Sequence, residues 1–283
     1  MKHIVSLSGG SASAVAADRV INRYGSNAVD LWFADTLWED DDLYRFLEDL
    51  EKRWDKKIIR HTDGRTPLQV AEDKKLIPNS WAAPCSFELK QKPFREYLLE
   101  QQKPVTVHLG LDWSETHRHA KPKEIYEQIE GVEVDFPLMW EPIPWRGYTL
   151  LIQEWGIKIP RLYELGMPHN NCGGRCVRQG KGEWLRLHKY LPERYEEVSQ
   201  WEESQRKLGG PRANRTIVRD RADGDSTPLT LAELREQNTT SQLELFTTVD
   251  DNYGCFCDEY LTDGESECLQ HNGRTRKKNH VQN

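Results

Sequence analysis

No apolar run in the 283-residue sequence approaches the length of a membrane-crossing helix, which excludes a helical span. The opening Met1-Lys2-His3 leads straight into a short apolar segment, without the charged-then-apolar pattern of a secretory leader, so a cytoplasmic protein is expected. Internal repeats are missing, which argues against a solenoid or propeller. A positive excess is missing too: 39 Lys and Arg face 46 Asp and Glu, a formal charge of −7, and a histone-like coat for nucleic acid is thereby disfavoured. Cysteine is sparse, six in all, and in a reducing compartment these read as metal ligands, nucleophiles or packing residues rather than a disulfide framework.

What is present begins at the first turn of the chain. Ile4-Val5-Ser6-Leu7 is followed by Ser8-Gly9-Gly10-Ser11-Ala12-Ser13 and then by Ala14-Val15-Ala16-Ala17. An apolar run, two glycines among hydroxyls and an alanine-rich segment read as strand, tight loop and helix. Glycines let the backbone approach a ligand, and the first-turn N–H groups of a helix favour an anion. Ser8, Ser11 and Ser13 add hydroxyls. The loop has neither the Lys of a P-loop nor the third Gly of a dinucleotide fingerprint. An ordinary strand-to-helix turn is the plain alternative.

Further on, segment 28–35 reads as a buried strand ending in Asp35, placed to touch a ribose or a nucleotide-bound Mg²⁺ or else to cap the next helix. An amphipathic helix is expected over 41–54, with Asp at its start, and strands over 57–61 and 105–111. Segment 134–140 reads as extended, 145–155 as a helix, 184–205 as two amphipathic helices and 213–218 as a strand. Thr230 is expected to cap a last short helix. Strands alternating with helices indicate an α/β fold: a Rossmann-like parallel sheet flanked by helices, with ligands at the strands' carboxyl ends. The expected division is a nucleotide-binding α/β domain over 1–165, a smaller, mostly helical, cysteine-containing part over 166–268, and a disordered basic tail over 269–283.

The cysteines fall in Pro84-Cys85-Ser86, Cys172-Gly173-Gly174-Arg175-Cys176, Cys255-Phe256-Cys257 and Glu267-Cys268-Leu269-Gln270-His271. Cys85 is placed to begin a helix, where the dipole favours thiolate, and Lys90 and Lys92 add positive charge; a buried packing role is the alternative. The paired glycines of the second motif let Cys172 and Cys176 turn toward one point. Residues 158–194 carry eight Lys or Arg against three Asp or Glu, a basic bias that suits a phosphate-bearing partner or simply a solvated face.

Taken in order, these stretches resemble the PP-loop ATP pyrophosphatases and phosphoadenosine phosphosulfate reductases, a superfamily of adenine nucleotide alpha hydrolase-like fold. The first loop is similar to their SGGxxS pyrophosphate loop, with Ala12 where Asp is common. Phe33-Ala34-Asp35-Thr36 through Leu47 is similar to "FADTG…E…Y.FL", and Gly110 through Arg118 to "G.R.DES.R", with Asp112 in the place of an Arg. Segment 137–176 is similar to "PL..W…W…..IP…LY..G…..GC..C".

The resemblance implies catalytic roles for Ser8, Ser13, Asp35 and Arg118, and nucleotide contacts from Ser8, Gly9, Gly10, Ser11, Ser13, Asp35, Gly110, Glu115 and Arg118. It implies ATP and Mg²⁺ as cofactors. Adenylylsulfate reductases of this superfamily hold a four-iron four-sulfur cluster, which here implies Cys85, Cys172 and Cys176 as ligands, with Cys255 or Cys257 as the fourth; a tetrahedral zinc ion is the alternative.

The expected activity is adenylation of a substrate oxygen with release of pyrophosphate, followed by sulfur incorporation into nucleic acid, as in DNA phosphorothioation or tRNA thiolation. A cysteine desulfurase or other sulfur donor would then be a partner. A sulfonucleotide reductase with Cys268 as nucleophile is the second reading, since Glu267 to His271 is similar to that family's ECG(I/L)H motif, with Leu269 in the place of Gly. A nucleotide-binding module without catalysis, motivated by Ala12, is the third.

Overall fold

The computed structural model describes residues 1–143, 147–221 and 226–240. Its centre is a five-stranded sheet, every pair parallel, in the order β3-β2-β1-β4-β5. The first strand, β1 (Lys2–Leu7), runs through the Ser8–Gly10 loop into α1 (Ser11–Tyr24), whose buried face is small: Ala14, Val15, Ala16, Ala17 and Val20. Small side chains let the helix lie close over the sheet, and Gly25 at φ 81° ends it. Next, β2 (Val29–Asp35) leads to α2 (Asp41–Trp54). Asp40 caps α2 by accepting the Asp42 N–H, and Asp41 and Asp42 in the first turn and Lys52 and Arg53 in the last match the helix dipole.

After β3 (Ile58–Thr62), a Thr66–Gln69 capping box starts α3 (Pro67–Asp73). A composite helix follows: α4 (Pro84–Ser86), a π-helical turn over Phe87–Gln91, and α5 (Lys92–Glu100). The strand β4 (Val105–Leu109) is buried throughout; α6 (Ala120–Tyr126) and β5 (Val132–Asp135) complete the sheet. Helices α7 (Gly147–Glu154), α8 (Arg161–Glu164), α9 (Lys181–Tyr190) and α10 (Pro192–Lys207) precede the antiparallel pair β6 (Val218–Asp220) and β7 (Thr227–Leu229), and α11 (Leu231–Thr240) follows.

Three apolar clusters hold these elements. On one face of the sheet α1, α2 and α7 bury Leu43, Phe46, Leu47 and Leu50 against Val5, Leu31 and Phe33. On the other, Phe94, Leu98, Ile125 and Tyr126 cover Ile4, Trp32 and Val107. Each such side chain contributes on the order of 1.5–3 kcal/mol. The third cluster joins Trp184, Leu187, Tyr195, Val198 and Leu231 to Trp38, Leu68, Ile77 and Ala83, which belong to connections after β2 and β3. The helical second half therefore packs on the sheet's carboxyl-end loops and shares its core with the first 165 residues. No helix among the described residues is long and apolar enough to cross a membrane.

Two expected elements are corrected. Segment 134–140 is not extended throughout: β5 ends at Asp135 and Pro137 opens a 3-10 turn over Pro137–Met139, closed by the Met139 N–H on the Phe136 carbonyl at 2.9 Å. Segment 213–218 is not a strand either. Side chains take up its backbone groups, with Ile217 N–H donating to Glu202 at 2.7 Å and the Thr216 hydroxyl donating to the Val218 carbonyl at 2.5 Å; pairing begins only at Val218. The helix expected over 145–155 is described from Gly147 to Glu154. Thr230 does cap α11, taking the Glu233 N–H at 3.1 Å while Glu233 takes the Thr230 N–H at 2.8 Å.

Candidate nucleotide site and thiol pocket

The strand order turns at β1: the chain builds outward through β2 and β3, then crosses to β4 on the other side. Loops leaving β1 and β4 meet there at the carboxyl ends of those strands, the place where open parallel sheets form a ligand crevice. Ser8–Ser13 forms one wall and Gly110–Arg118 the other. They approach so closely that a Cβ on Gly110 would lie 2.9 Å from the Ser13 Cα.

In the first loop Gly9 adopts φ +77°, and a Cβ there would meet Leu43 at 2.7 Å, so only glycine fits. Gly10 offers α1 no side-chain cap and no acidic residue occupies its first turn, so no negative charge offsets the positive end of the dipole. Ser13 holds the loop together: its Oγ donates to the Gly10 carbonyl at 2.9 Å and accepts from the Ser8 amide and hydroxyl at 3.2 and 3.1 Å. Ser8 Oγ in turn lies 3.4 Å from the Gly10 amide.

Two residues outside the motif complete the loop. The Ser11 amide donates to the Tyr163 hydroxyl at 3.1 Å, and Asn170 Nδ2 donates to the Gly9 carbonyl at 2.9 Å. Sequence reasoning assigned neither. Their signals were the LY of the family-like stretch, which falls on Leu162-Tyr163, and for Asn170 proximity in sequence to the second cysteine motif.

Asp35 ends β2. Its Oδ1 accepts from the Leu37 amide at 2.9 Å and the Tyr44 hydroxyl at 2.8 Å, in a turn where Leu37 adopts φ +54°. Burial and the hydrogen bond to Asp35 together push the Tyr44 phenol well above its ordinary pKa.

In the β4 loop, Asp112 is a brace. It accepts from the Ser114 amide at 2.8 Å, the Ser114 hydroxyl at 2.6 Å and the Tyr148 hydroxyl at 2.9 Å, tying the loop to α7. Glu115 pairs with the buried Arg118. The structure thus brings Ser8 to Ser13, Gly110, Glu115 and Arg118 to the two loops of one crevice.

Cys85, Cys172 and Cys176, 87 and more residues apart across the first gap, line one cavity of about 30 Å³ with Thr36, Ser86, Lys90, Arg175 and Arg178. That is room for one or two waters. Lys92, in contrast, is exposed and lines no part of it. Cys172, Gly173 and Gly174 all have positive φ, 53°, 57° and 80°, so the loop coils tightly and presents both sulfurs to the same wall. Among the described residues no group of three His, Cys, Asp or Glu side chains is placed to hold a metal ion. Cys255, Cys257 and Cys268 lie outside the described residues.

A buried carboxylate that the sequence did not point to joins the two regions. Glu39 accepts the Thr36 hydroxyl at 2.8 Å and the Cys172 amide at 2.5 Å. Burial raises its pKa, opposed by the positive charge of Lys90 and by these hydrogen bonds. Beside it Asp40, 1% exposed, pairs with Arg161 at 2.7 Å and Arg194 at 2.6 Å, and Arg175 donates to the Trp38 carbonyl at 3.0 Å while stacking on its ring.

This pairing also revises the basic bias of 158–194. Lys158, Arg161, Arg175, Lys181 and Arg194 are each ion-paired to an acidic side chain of the same chain, so much of that charge is already matched.

The family model for the phosphoadenosine phosphosulfate reductase domain matches residues 2–169, which include both loops of the crevice. The chain belongs to this family. A crystal structure of phosphoadenylyl-sulfate (PAPS) reductase from Candida auris, in a phosphate complex, is similar at 19% identity and TM-score 0.41, covering 59% of this chain and 78% of that one. No curated protein matches. The PAPS reductase-like domain accounts for the sheet, the glycine loop and the β4 loop; the match stops just before Cys172.

Proposed function

We propose that this PAPS reductase-like protein binds ATP in the β1/β4 crevice, transfers AMP to a substrate oxygen and releases pyrophosphate so that sulfur can replace the activated oxygen. The observation that carries this reading is the joining of the two regions: the thiol-lined pocket is fastened to the nucleotide loop by the Asn170–Gly9 bond and to the end of β2 by the Cys172–Glu39 bond.

In the first step the substrate oxygen attacks the α-phosphorus, the bond to the bridging oxygen breaks, and the pair of electrons leaves with pyrophosphate. The uncapped N–H groups of α1 and the Gly9 turn are placed to stabilise charge on that leaving group. Asp35, with one carboxylate oxygen engaged by Leu37 and Tyr44, would hold Mg²⁺ through the other. Bound there, the ion would neutralise phosphate charge. Glu115 holds the buried Arg118 in an ion pair within the β4 loop, and Arg118 is the proposed positive charge toward the phosphates.

In the second step a sulfur nucleophile displaces AMP. Three thiols beside Lys90, Arg175 and Arg178 form an electropositive setting suited to an anionic sulfur species. Cys85, Cys172 and Cys176 would be three ligands of a four-iron four-sulfur cluster or a zinc ion, but as placed they do not hold one, and no step is routed through it.

A nucleic acid is the proposed acceptor, on the resemblance to the PP-loop ATP pyrophosphatases and on the basic residues of 158–194 that remain outside the ion pairs above. A cysteine desulfurase is the proposed sulfur source.

The test is incubation of pure protein with ATP and Mg²⁺, adding DNA or tRNA in turn. Pyrophosphate release that depends on nucleic acid is expected. Sulfite release from adenylylsulfates would favour the reductase reading, which the family match also supports. Binding of ATP without turnover would favour a module that has lost catalysis. Iron and sulfide assay after anaerobic purification tests the cluster.

A further inference from the structure

Tyr163 and Asn170 reach the nucleotide loop from the α8 end of the chain, and their chemistry is incomplete without a ligand. The Tyr163 oxygen accepts the Ser11 N–H at 3.1 Å and lies against the loop so closely that a Cβ on Gly10 would meet it at 3.0 Å. A phenol that accepts still carries its own hydrogen, and this one sits at the first turn of α1, which has no acidic residue and no side-chain cap from Gly10. Asn170 supplies an independent observation. It is 1% exposed, and the Gly9 carbonyl at 2.9 Å fixes its orientation, since only the NH₂ can face a carbonyl. Its Oδ1, on the same amide beside the loop, has no hydrogen-bond partner among the described residues. Leaving such an atom unpaired is unfavourable, so a donor brought to this side of the loop would be favoured there.

We propose that Tyr163 is a polyphosphate ligand: its hydroxyl, oriented by the Ser11 amide, donates to a phosphate oxygen of the bound nucleotide, while Asn170 accepts from a donor that the ligand carries. This rests on the reading of the crevice as an ATP site. It places two nucleotide contacts outside the glycine loop and makes occupation of the crevice sensible to the cysteine loop, because Asn170 is two residues from Cys172. The rival role for Tyr163 is a plug that merely occupies the Ser11 N–H. The two differ in sign. A donor strengthens phosphate binding, whereas a plug competes with it.

The experiment is calorimetric titration of the full chain and of Tyr163→Phe with ATP, pyrophosphate and adenosine. Wild type is expected to bind ATP and pyrophosphate. Tyr163→Phe is expected to bind both at least about tenfold more weakly, as for loss of a hydrogen bond to a charged group, with adenosine unchanged. Equal or tighter binding of ATP by folded Tyr163→Phe overturns the proposal alone. Wild type that binds neither ATP nor pyrophosphate overturns it together with the ATP reading. Should Tyr163→Phe not fold, 3-fluorotyrosine at 163 keeps the shape and makes the phenol a stronger donor. Tighter pyrophosphate binding is then expected, and unchanged or weaker binding overturns the proposal.

Discussion

Leu37 and Gly110 show how single positions shape the crevice. Leu37 is held at φ +54° by the Asp35 turn while its side chain is 47% exposed, so it bears the left-handed penalty with little burial in return. Leu37→Gly is expected to be neutral or to stabilise by up to about 1 kcal/mol in urea melts. Gly110→Ala should do the reverse. A methyl 2.9 Å from the Ser13 Cα meets backbone rather than a movable side chain. The expected cost is about 1–3 kcal/mol, with a loss of ATP affinity in a titration because the two walls are forced apart.

Asp40 both caps α2 and pairs with two arginines. Burial disfavours its charge, but the hydrogen bonds from Arg161, Asp42 and Arg194 prevail and hold its pKa below the ordinary value. Asp40→Ala should cost about 3 kcal/mol, and Asp40→Asn, which keeps the cap, distinctly less.

At the scale of elements, α10 and α11 are joined through one buried acid. Glu202 accepts the Ile217 and Leu231 amides, each at 2.7 Å, and burial raises its pKa from 4.5 to about 7 against those two bonds. The folded state then binds this proton more tightly than the unfolded chain. The contribution is fully present below about pH 4.5 and is lost as pH rises toward 7, by on the order of 3 kcal/mol at most. Denaturant melts between pH 5 and 8 should show this decline. Glu202→Gln should flatten it and, by offering one acceptor to two amides, lower stability by about 1–3 kcal/mol.

A second buried array ties the strands. His3 Nδ1 lies 3.0 Å from His108 Nε2, and His108 Nδ1 3.2 Å from Asp135 Oδ2, which links β1, β4 and β5. Burial lowers the pKa of His3, with the neighbouring His108 acting in the same direction.

For the molecule as a whole, the third apolar cluster decides autonomy. Trp38, Leu68, Ile77 and Ala83 are covered by residues from Leu162 onward, so a chain cut after residue 165 exposes them. Such a fragment is expected to be insoluble or to unfold without a cooperative transition, as judged by circular dichroism. A tryptophan and three apolar neighbours cannot be left in water without a large loss of burial.

The sequence determined the parallel sheet and its first loop. Strand-length apolar runs alternating with helix-period segments admit few other arrangements, and a glycine pair between strand and helix is a local signal that survives any packing. The helix over 41–54 was legible to the residue because its cap and its charges are local. What only the tertiary structure decided lies in contacts between distant segments: Asn170 on Gly9, Tyr163 on Ser11, Glu39 on Cys172, and the meeting of Cys85 with Cys172 and Cys176. The basic bias of 158–194 could be counted in the sequence, but its pairing with Asp40, Glu197 and Asp220 could not. Periodicity and capping act over a few residues, whereas a buried side chain finds its partner only after the chain has closed over it.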